Sequence, residues 1–447
     1  MMAALSKHFG PGRLALFCVL VFVLAACSGG NDTDDSTQPT DPPNVSPAPS
    51  GATAEPGSII TPEDVLRKDP GVTKHAEVTW GWMFEQSGPL GGFGEPAGDG
   101  VQFAVQEIND AGGFQVGDTI YTIKLDEHDT QTSVTQTIAI ATELVQDKGV
   151  KVIWGPASAG EPEATRYTQN AQVLHICPCQ NRETTSLATA EQAQGESHWA
   201  FQTLPPVGPL TEQGASTFFE DFPGLTTFAI LCVNTAVGKD ICGHAKDSYV
   251  GAGLELVGEL YFPPQTADYS PFLTELKDGD PDFLFNFDDP PNQATIIRQA
   301  LEQGVGRLHI AQLPADLIGP LVGRPLTAPV IAGAVPRQNV KPTSEKARLY
   351  FERYKAFRGG EFPLAPFVSL LTYDFVYMLA AAMQQAGTVD DTTAIADALE
   401  EVHYNGVGED DMYFNSRHSA VMGVDPCTVD GEEITCEHRS PPESLLE

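Results

Sequence analysis

Glu77-Val78-Thr79-Trp80-Gly81-Trp82-Met83-Phe84 runs into Ser87-Gly88-Pro89-Leu90-Gly91-Gly92-Phe93-Gly94, and Val101, Ala104, Val105 and Ile108 follow. The first run is rich in β-branched and aromatic residues and predicts a strand. The glycines predict turns, and the four apolar positions beyond them fall at helical spacing. Ala111-Gly112-Gly113 then supplies a helix stop. The unit repeats. Residues 119–125 predict a second strand, and Val134, Ile138, Ala141 and Val145 mark a second amphipathic helix. Residues 150–154 form a short apolar run of the kind buried in parallel sheets. A helix beginning near Ser158 leads to a fourth strand at 173–177.

After Pro205-Pro206 the alternation restarts, with strands predicted at 226–233, 254–262, 283–287, 307–311 and 329–334. Repeated strand–helix units with short connections imply α/β architecture with doubly wound, mostly parallel sheets flanked by helices. Two such series imply two similar lobes. The tail holds helices near 345–357, 367–385 and 392–402, then β hairpins.

The N-terminus reads differently. Residues 14–26 are apolar, follow Lys7 and Arg13, and end in Leu24-Ala25-Ala26-Cys27. A basic start, an apolar stretch and small residues before the cut predict a signal peptide over 1–26. The run is short of the ~20 apolar residues that a membrane span needs. Small residues before a cysteine also resemble the lipobox of bacterial lipoproteins, whose cysteine receives lipid; an ordinary signal with an incidental cysteine is the alternative. From 28 to 66 there is no Lys or Arg, and there are seven prolines. Such a stretch buries too little apolar surface to offset the entropy of ordering, so 27–73 is expected to be an extended stalk behind a lipidated Cys27.

The chain has 25 basic and 60 acidic residues, a formal net charge of -35. That balance excludes nucleic acid as a partner, since phosphate binding needs basic patches. It fits a solvated acidic surface or steering of cationic ligands. Cysteines beyond the stalk, in an exported chain, predict disulfides. Cys427-Thr428-Val429 and Ile434-Thr435-Cys436 flank Asp430-Gly431-Glu432-Glu433, a loop that sets Cys427 across from Cys436. Cys232 and Cys242 suit a local bridge. Cys177-Pro178-Cys179 stays open, because a bridge across one residue is unfavourable geometrically.

In open α/β sheets, ligands bind beyond the carboxyl ends of the strands. Three strand-end loops of the first lobe suit that position. In the first, residues 87–94, Phe93 is placed to lie on an apolar part of a ligand. Gly88, Gly91 and Gly94 do not form a dinucleotide fingerprint, and no phosphate-loop Lys follows, so no nucleotide cofactor is expected. In the second, Gly155-Pro156-Ala157-Ser158-Ala159-Gly160, N–H groups at a helix start and the Ser158 hydroxyl make a carboxylate site, or Ser158 caps its own helix. In the third, Gln180 and Asn181 offer donors and acceptors, or are simply surface polar groups.

At these loops the chain resembles the leucine/isoleucine/valine-binding protein family of ABC-transporter receptors, with type I periplasmic-binding-protein architecture. The resemblance is carried by Phe84-Glu85-Gln86-Ser87-Gly88-Pro89-Leu90, Glu107-Ile108-Asn109-Asp110-Ala111-Gly112-Gly113, Val152-Ile153-Trp154-Gly155-Pro156 and Tyr373-Asp374. It implies two lobes joined by a three-segment hinge, closing on a small amino-acid-like solute and docking on permease subunits. Lobe 1 is expected over 74–203 plus 335–415, and lobe 2 over 204–334 plus 416–447. By the same resemblance, Ser158, Ala159 and Gly160 match the carboxylate-binding turn, Gln180 and Asn181 the loop at the amino-acid head, and Phe93 an aromatic wall. In the second lobe Val237 stands where relatives often carry an aromatic, and Asp288 and Asp289 lie on a ligand-facing loop. The acid that grips an ammonium group in relatives would fall near Leu313, where there is no carboxylate. A sensor of the same fold is a second reading. An enzyme is the third, with Cys177 and Cys179 as a thiol-redox pair or with the acids beside a histidine in Asp126-Glu127-His128-Asp129; the cysteines lack the usual two-residue spacing, the acidic run reads as solvated loop, and the histidines show no zinc-ligand spacing with a third ligand. The expectation is therefore a binding protein, with no catalytic residue, metal or cofactor.

Overall fold

The computed structural model describes residues 58–179, 199–205, 222–288, 290–311, 313, 315–323, 325–332 and 337–446. Cys27, Gln180, Asn181 and Asp289 therefore lie outside the described residues.

The body starts earlier than the expected end of the stalk at 73. Helix α1 (Pro62–Leu66) is capped reciprocally by Thr61 and Asp64, buries Val65, and follows Ile60, which bridges to Tyr404. A capping box and two apolar side chains are enough to dock this segment on the lobe.

Six strands form the first sheet: β1 (Lys74–Phe84), β2 (Phe114–Val116), β3 (Thr119–Asp129), β4 (Val152–Trp154), β5 (Leu174–Cys177) and β6 (Ala200–Gln202). Their order is β2-β3-β1-β4-β5-β6, all parallel except β2 against β3. Helices α2 (Gly91–Asp110), α3 (Val134–Gln146) and α4 (Glu161–Ala171) make the crossovers. Trp80 to Phe84 are consecutively buried, as a strand covered on both faces requires.

The second sheet opens with β7 (Thr227–Val233), β8 (Glu255–Phe262), β9 (Phe283–Phe287), β10 (Leu308–Ala311) and β11 (Val330–Ala332), linked by α5 (Ala236–Gly251), α6 (Ser270–Lys277) and α7 (Pro290–Gln303). The chain then returns to the first lobe with α8 (Glu345–Phe357), α9 (Leu370–Ala386), α10 (Thr392–Glu401), β12 (Tyr413–Phe414) and β13 (Ala420–Val421). It crosses back for the hairpin β14 (Cys427–Asp430) and β15 (Glu433–Cys436), which adds antiparallel strands beside β11. The parallel strands of both sheets share one order, β3-β1-β4-β5-β6 and β8-β7-β9-β10-β11. The lobes are thus two copies of one topology, joined by three crossovers: the type I periplasmic-binding-protein architecture.

The third crossover falls later than the expected boundary at 415/416. Gln202 N–H donates to the His418 carbonyl, and Ala420 and Met422 pack in the first lobe's core. That core holds all four tryptophans, Trp80, Trp82, Trp154 and Trp199. Its central helix, α9, is buried from Leu370 through Met383. Residues 366–386 are long and apolar enough to cross a membrane, but their apolar stretch is buried inside the protein, with Gln385 exposed at the end. Asp374 on this helix accepts N–H groups of Val407 and Gly408, and burial pushes its carboxyl up to about 6. The similar Tyr373-Asp374 pair therefore ties a helix to a loop.

The structure joins Cys232 to Cys242, Cys427 to Cys436, and Cys177 to Cys179. Cys427 pairs with Cys436 in the strand register, as expected, although the connection is a two-residue turn at Gly431-Glu432 and not a four-residue loop. Gly431 takes a positive φ of 56°, which lets the hairpin close that tightly.

The second and third crossovers meet in a charged cluster. Arg337 Nη1 donates to Asp425 Oδ1 at 3.1 Å, and Thr343 Oγ1 donates to the other oxygen. His438 reaches Asp425 Oδ1 at 2.7 Å and Glu409 Oε2 at 2.9 Å. Asp425 is fully buried and Arg337 nearly so, which makes each partner costly to remove, by about 3–5 kcal/mol. Burial lowers the His438 pKa, but the hydrogen bonds it donates to Asp425 and Glu409 outweigh that and hold the imidazole up at about 9. Glu409, partly desolvated, is held below the usual carboxylate value by its bond to His438. His438 therefore contributes fully below its ordinary value of 6.5 and loses that contribution as pH rises through 9. Glu409 contributes above its ordinary 4.5 and loses its share as pH falls through its folded-state value. Thermal unfolding of wild type and His438→Gln should differ most between pH 4.5 and 6.5 and converge by pH 9 and above; a constant gap would contradict this account.

Candidate functional site

Strand order reverses between β1 and β4, where β3 lies to one side and β5 to the other. This switch point leaves a crevice at the carboxyl ends of the strands. The register sets Phe84 beside Asp129 and Trp82 beside Trp154, so the residues that follow these strands converge.

The residue after β1 is Glu85, and it is fully buried. The turn after β4 closes around its carboxylate. Oε2 accepts the Ala157 N–H at 3.0 Å, while Oε1 accepts the Ser158 and Ala159 N–H groups at 3.0 Å and the Ser158 hydroxyl at 2.7 Å. Four donors on one carboxylate offset the desolvation of its charge. Helix α4 begins after this turn, with Gly160 at a left-handed φ of 86°, so its N-terminal dipole adds to the field on Glu85.

Neighbouring elements fix the turn. Thr137 Oγ1 on α3 donates to the Ala159 carbonyl at 2.8 Å. His175 on β5 places Nε2 2.7 Å from the Gly155 carbonyl and Nδ1 3.3 Å from Thr165 Oγ1. Burial drives its pKa down to about 4, so the ring is neutral and its Nε2–H donates to Gly155. On the other side, Asp129 accepts N–H groups from Gln86 at 2.9 Å and Gln131 at 2.8 Å, and the Ser87 hydroxyl at 2.6 Å. Despite partial desolvation, these bonds hold Asp129 below the ordinary carboxylate value. Asp129 thus anchors the 86–90 loop, and His128 turns back to Asp126 at 3.0 Å.

Several expectations change here. The glycine-rich stretch is a loop only to Leu90; from Gly91 it is helix, and Phe93 is half-buried against the first lobe's core. Ser158 neither opens a helix nor caps one, because α4 starts at Glu161 without a side-chain cap. Its hydroxyl and N–H, with the Ala159 N–H, are already engaged by Glu85. In the second lobe the corresponding switch point lies between β7 and β9. Thr235 caps α5 there by accepting the Gly238 N–H. Asp288 follows β9 and accepts from Asn292 at 3.1 Å. Val237 lies on the first turn of α5. Cys177 and Cys179 sit paired and buried at the end of β5. Among the described residues, no cluster of His, Cys, Asp and Glu could hold a metal ion.

Glu85 was the residue that sequence reasoning left without a role. The signal was present: a carboxylate directly after a buried strand, in a chain whose later short apolar strand runs into the turn Gly155-Pro156-Ala157-Ser158-Ala159-Gly160.

The sequence model of the periplasmic binding protein family matches residues 77–433. The chain belongs to that family. The Leu/Ile/Val-binding protein homolog 8 of Brucella abortus (strain 2308) is 26% identical over 242 residues, 53% of this chain and 57% of the relative. The match thus spans little more than half the length of that relative. Among solved structures, the branched-chain amino acid transporter substrate binding protein LivJ from Streptococcus pneumoniae, in complex with isoleucine, has a TM-score of 0.67 at 21% identity, covering 82% of this chain and 100% of that one. A solute binding protein of an ABC transporter from Rhodopseudomonas palustris BisB5, in complex with 3,4-dihydroxy benzoic acid, gives 0.65 at 18%, covering 83% and 98%. At these identities the likeness to both structures is one of fold.

Gly94 on α2 packs on Glu85 so closely that an added Cβ would lie 2.5 Å from the Glu85 carbonyl oxygen and 2.6 Å from its Cβ. Gly94→Ala should therefore lower stability by about 1–3 kcal/mol in urea unfolding, whereas Gly92→Ala, whose nearest neighbour is a Leu364 methyl at 3.7 Å, should lower it much less. Equal effects would contradict the packing described.

Proposed function

We propose that this protein is the extracytoplasmic solute receptor of an ABC importer, held at a membrane by lipid on Cys27. Its solute is an amino acid or a related small carboxylate or amide, taken up between the lobes. The observation that carries this reading is the repeated strand order, which gives each of the two lobes a switch point at its strand ends. A solute touching both switch points favours closure in proportion to its differential affinity for the closed state. Phe93, Ser158, Ala159, Gly160, Gln180 and Asn181 are the proposed contacts of the first lobe, with Val237, Asp288 and Asp289 opposite. Permease subunits are the proposed partners of the closed form. The proteins of similar fold include one solved with isoleucine and one with 3,4-dihydroxy benzoic acid, so aromatic acids belong in the test alongside amino acids. Burial of Cys177 and Cys179, each about 1% exposed or less, favours a structural bridge over a redox pair, whose thiols need access.

A thermal-shift screen of the mature protein against amino acids, amides and aromatic acids should give a rise in Tm that grows with solute concentration. No response from any class would sink the receptor reading. Separately, Cys27→Ser should move the protein from the membrane fraction to the soluble fraction of exporting cells; unchanged fractionation would remove the lipid anchor.

A further inference from the structure

The turn at 157–159 has the make-up of an anion seat: three backbone N–H groups and a hydroxyl converge at a helix N-terminus on the switch point of the first sheet. In this chain the seat is filled from within. Glu85 is fully buried, its carboxylate takes all four donors, and Gly94 leaves it the space to do so. The Ser158 hydroxyl and the Ser158 and Ala159 N–H groups converge on one oxygen, which leaves none of these three donors for a second anion. A solute carboxylate brought to this half-buried turn would meet the buried carboxylate of Glu85, and like charges repel more strongly there than in open water. The chain's net charge of -35 adds long-range attraction for the opposite sign.

We propose that Glu85 is a specificity-determining residue that takes the place of a solute carboxylate, so that the receptor selects small solutes with an amide or ammonium head and rejects their carboxylate counterparts. This rests on the receptor reading and narrows it: of the acids and amides proposed above, it keeps the amides and amines.

The test uses matched pairs and a vacated seat. Isoleucine against isoleucinamide, and 4-hydroxybenzoate against 4-hydroxybenzamide, are titrated into the mature wild-type protein by thermal shift and calorimetry. The amide of a pair should bind about tenfold tighter or more; tighter binding of the acid overturns the proposal. Glu85→Ala empties the seat. Its Tm should rise in millimolar acetate and not in chloride, the wild type should show no such rise, and the preference within each pair should shift toward the acid. Glu85→Gln, which keeps the seat filled, should gain no acetate response. If Glu85→Ala folds only when refolded in acetate, the seat is shown by that dependence; refolding in neither salt overturns the proposal, and so does folding in both with the same Tm. Absence of binding by every pair and by every class in the solute screen, together with acetate rescue of Glu85→Ala, would sink the receptor reading and the selectivity with it, leaving only the anion seat. An acetate response without any shift in pair preference would make Glu85 structural only and overturn the selectivity.

Discussion

Parallel strands finish on the same edge of their sheet, and the polar groups gathered there must each find a partner without the help of a neighbouring ladder. In the first lobe this constraint organises everything near the crevice. Glu85 follows β1, Asp129 ends β3, the Gly155 turn follows β4, and His175 lies on β5. Glu85 takes the N–H groups of the turn, His175 takes its first carbonyl, and Asp129 takes the N–H groups of the 86–90 loop. Each side chain satisfies backbone from a different strand end. The four strand ends are therefore positioned relative to one another, and the crevice between them is rigid.

The second lobe repeats the topology with other partners at its strand ends. Thr235 caps a helix there, and Asp288 takes an amide from Asn292. The strong electrostatics of that half lie instead where the chain changes lobes. Arg337 and Asp425 stand on different crossovers, and His438 and Glu409 extend the same network into the segments on either side. Bare chain between the lobes would twist freely. Chain braced by a buried ion pair has a defined geometry.

Much of the fold was legible in the sequence. Phe283–Phe287 and Glu345–Phe357 were read with the bounds the structure gives, because their apolar periods are clean and turn residues bracket them. β2 and β6 were missed, since three residues carry no period. The Gly91–Gly94 stretch was read as turn because glycine is a poor helix former; the helix extends through it because Glu85 requires a neighbour without a side chain. The site was half legible. The turn at Ser158 was found from its glycines and its hydroxyl. Its occupant was not, because pairing a residue at 85 with one at 158 depends on β1 and β4 being neighbours, which is a matter of tertiary order and not of local pattern.

All four tryptophans lie in one lobe. Trp154 directly precedes the turn that holds Glu85, and its ring centroid is 6.2 Å from that of Trp80. The intrinsic fluorescence of the protein is consequently a one-sided optical probe. Its tryptophan emission reports the polarity and packing around the first sheet and is silent about the second, so tryptophan emission and a label on the second lobe would report on the two lobes separately.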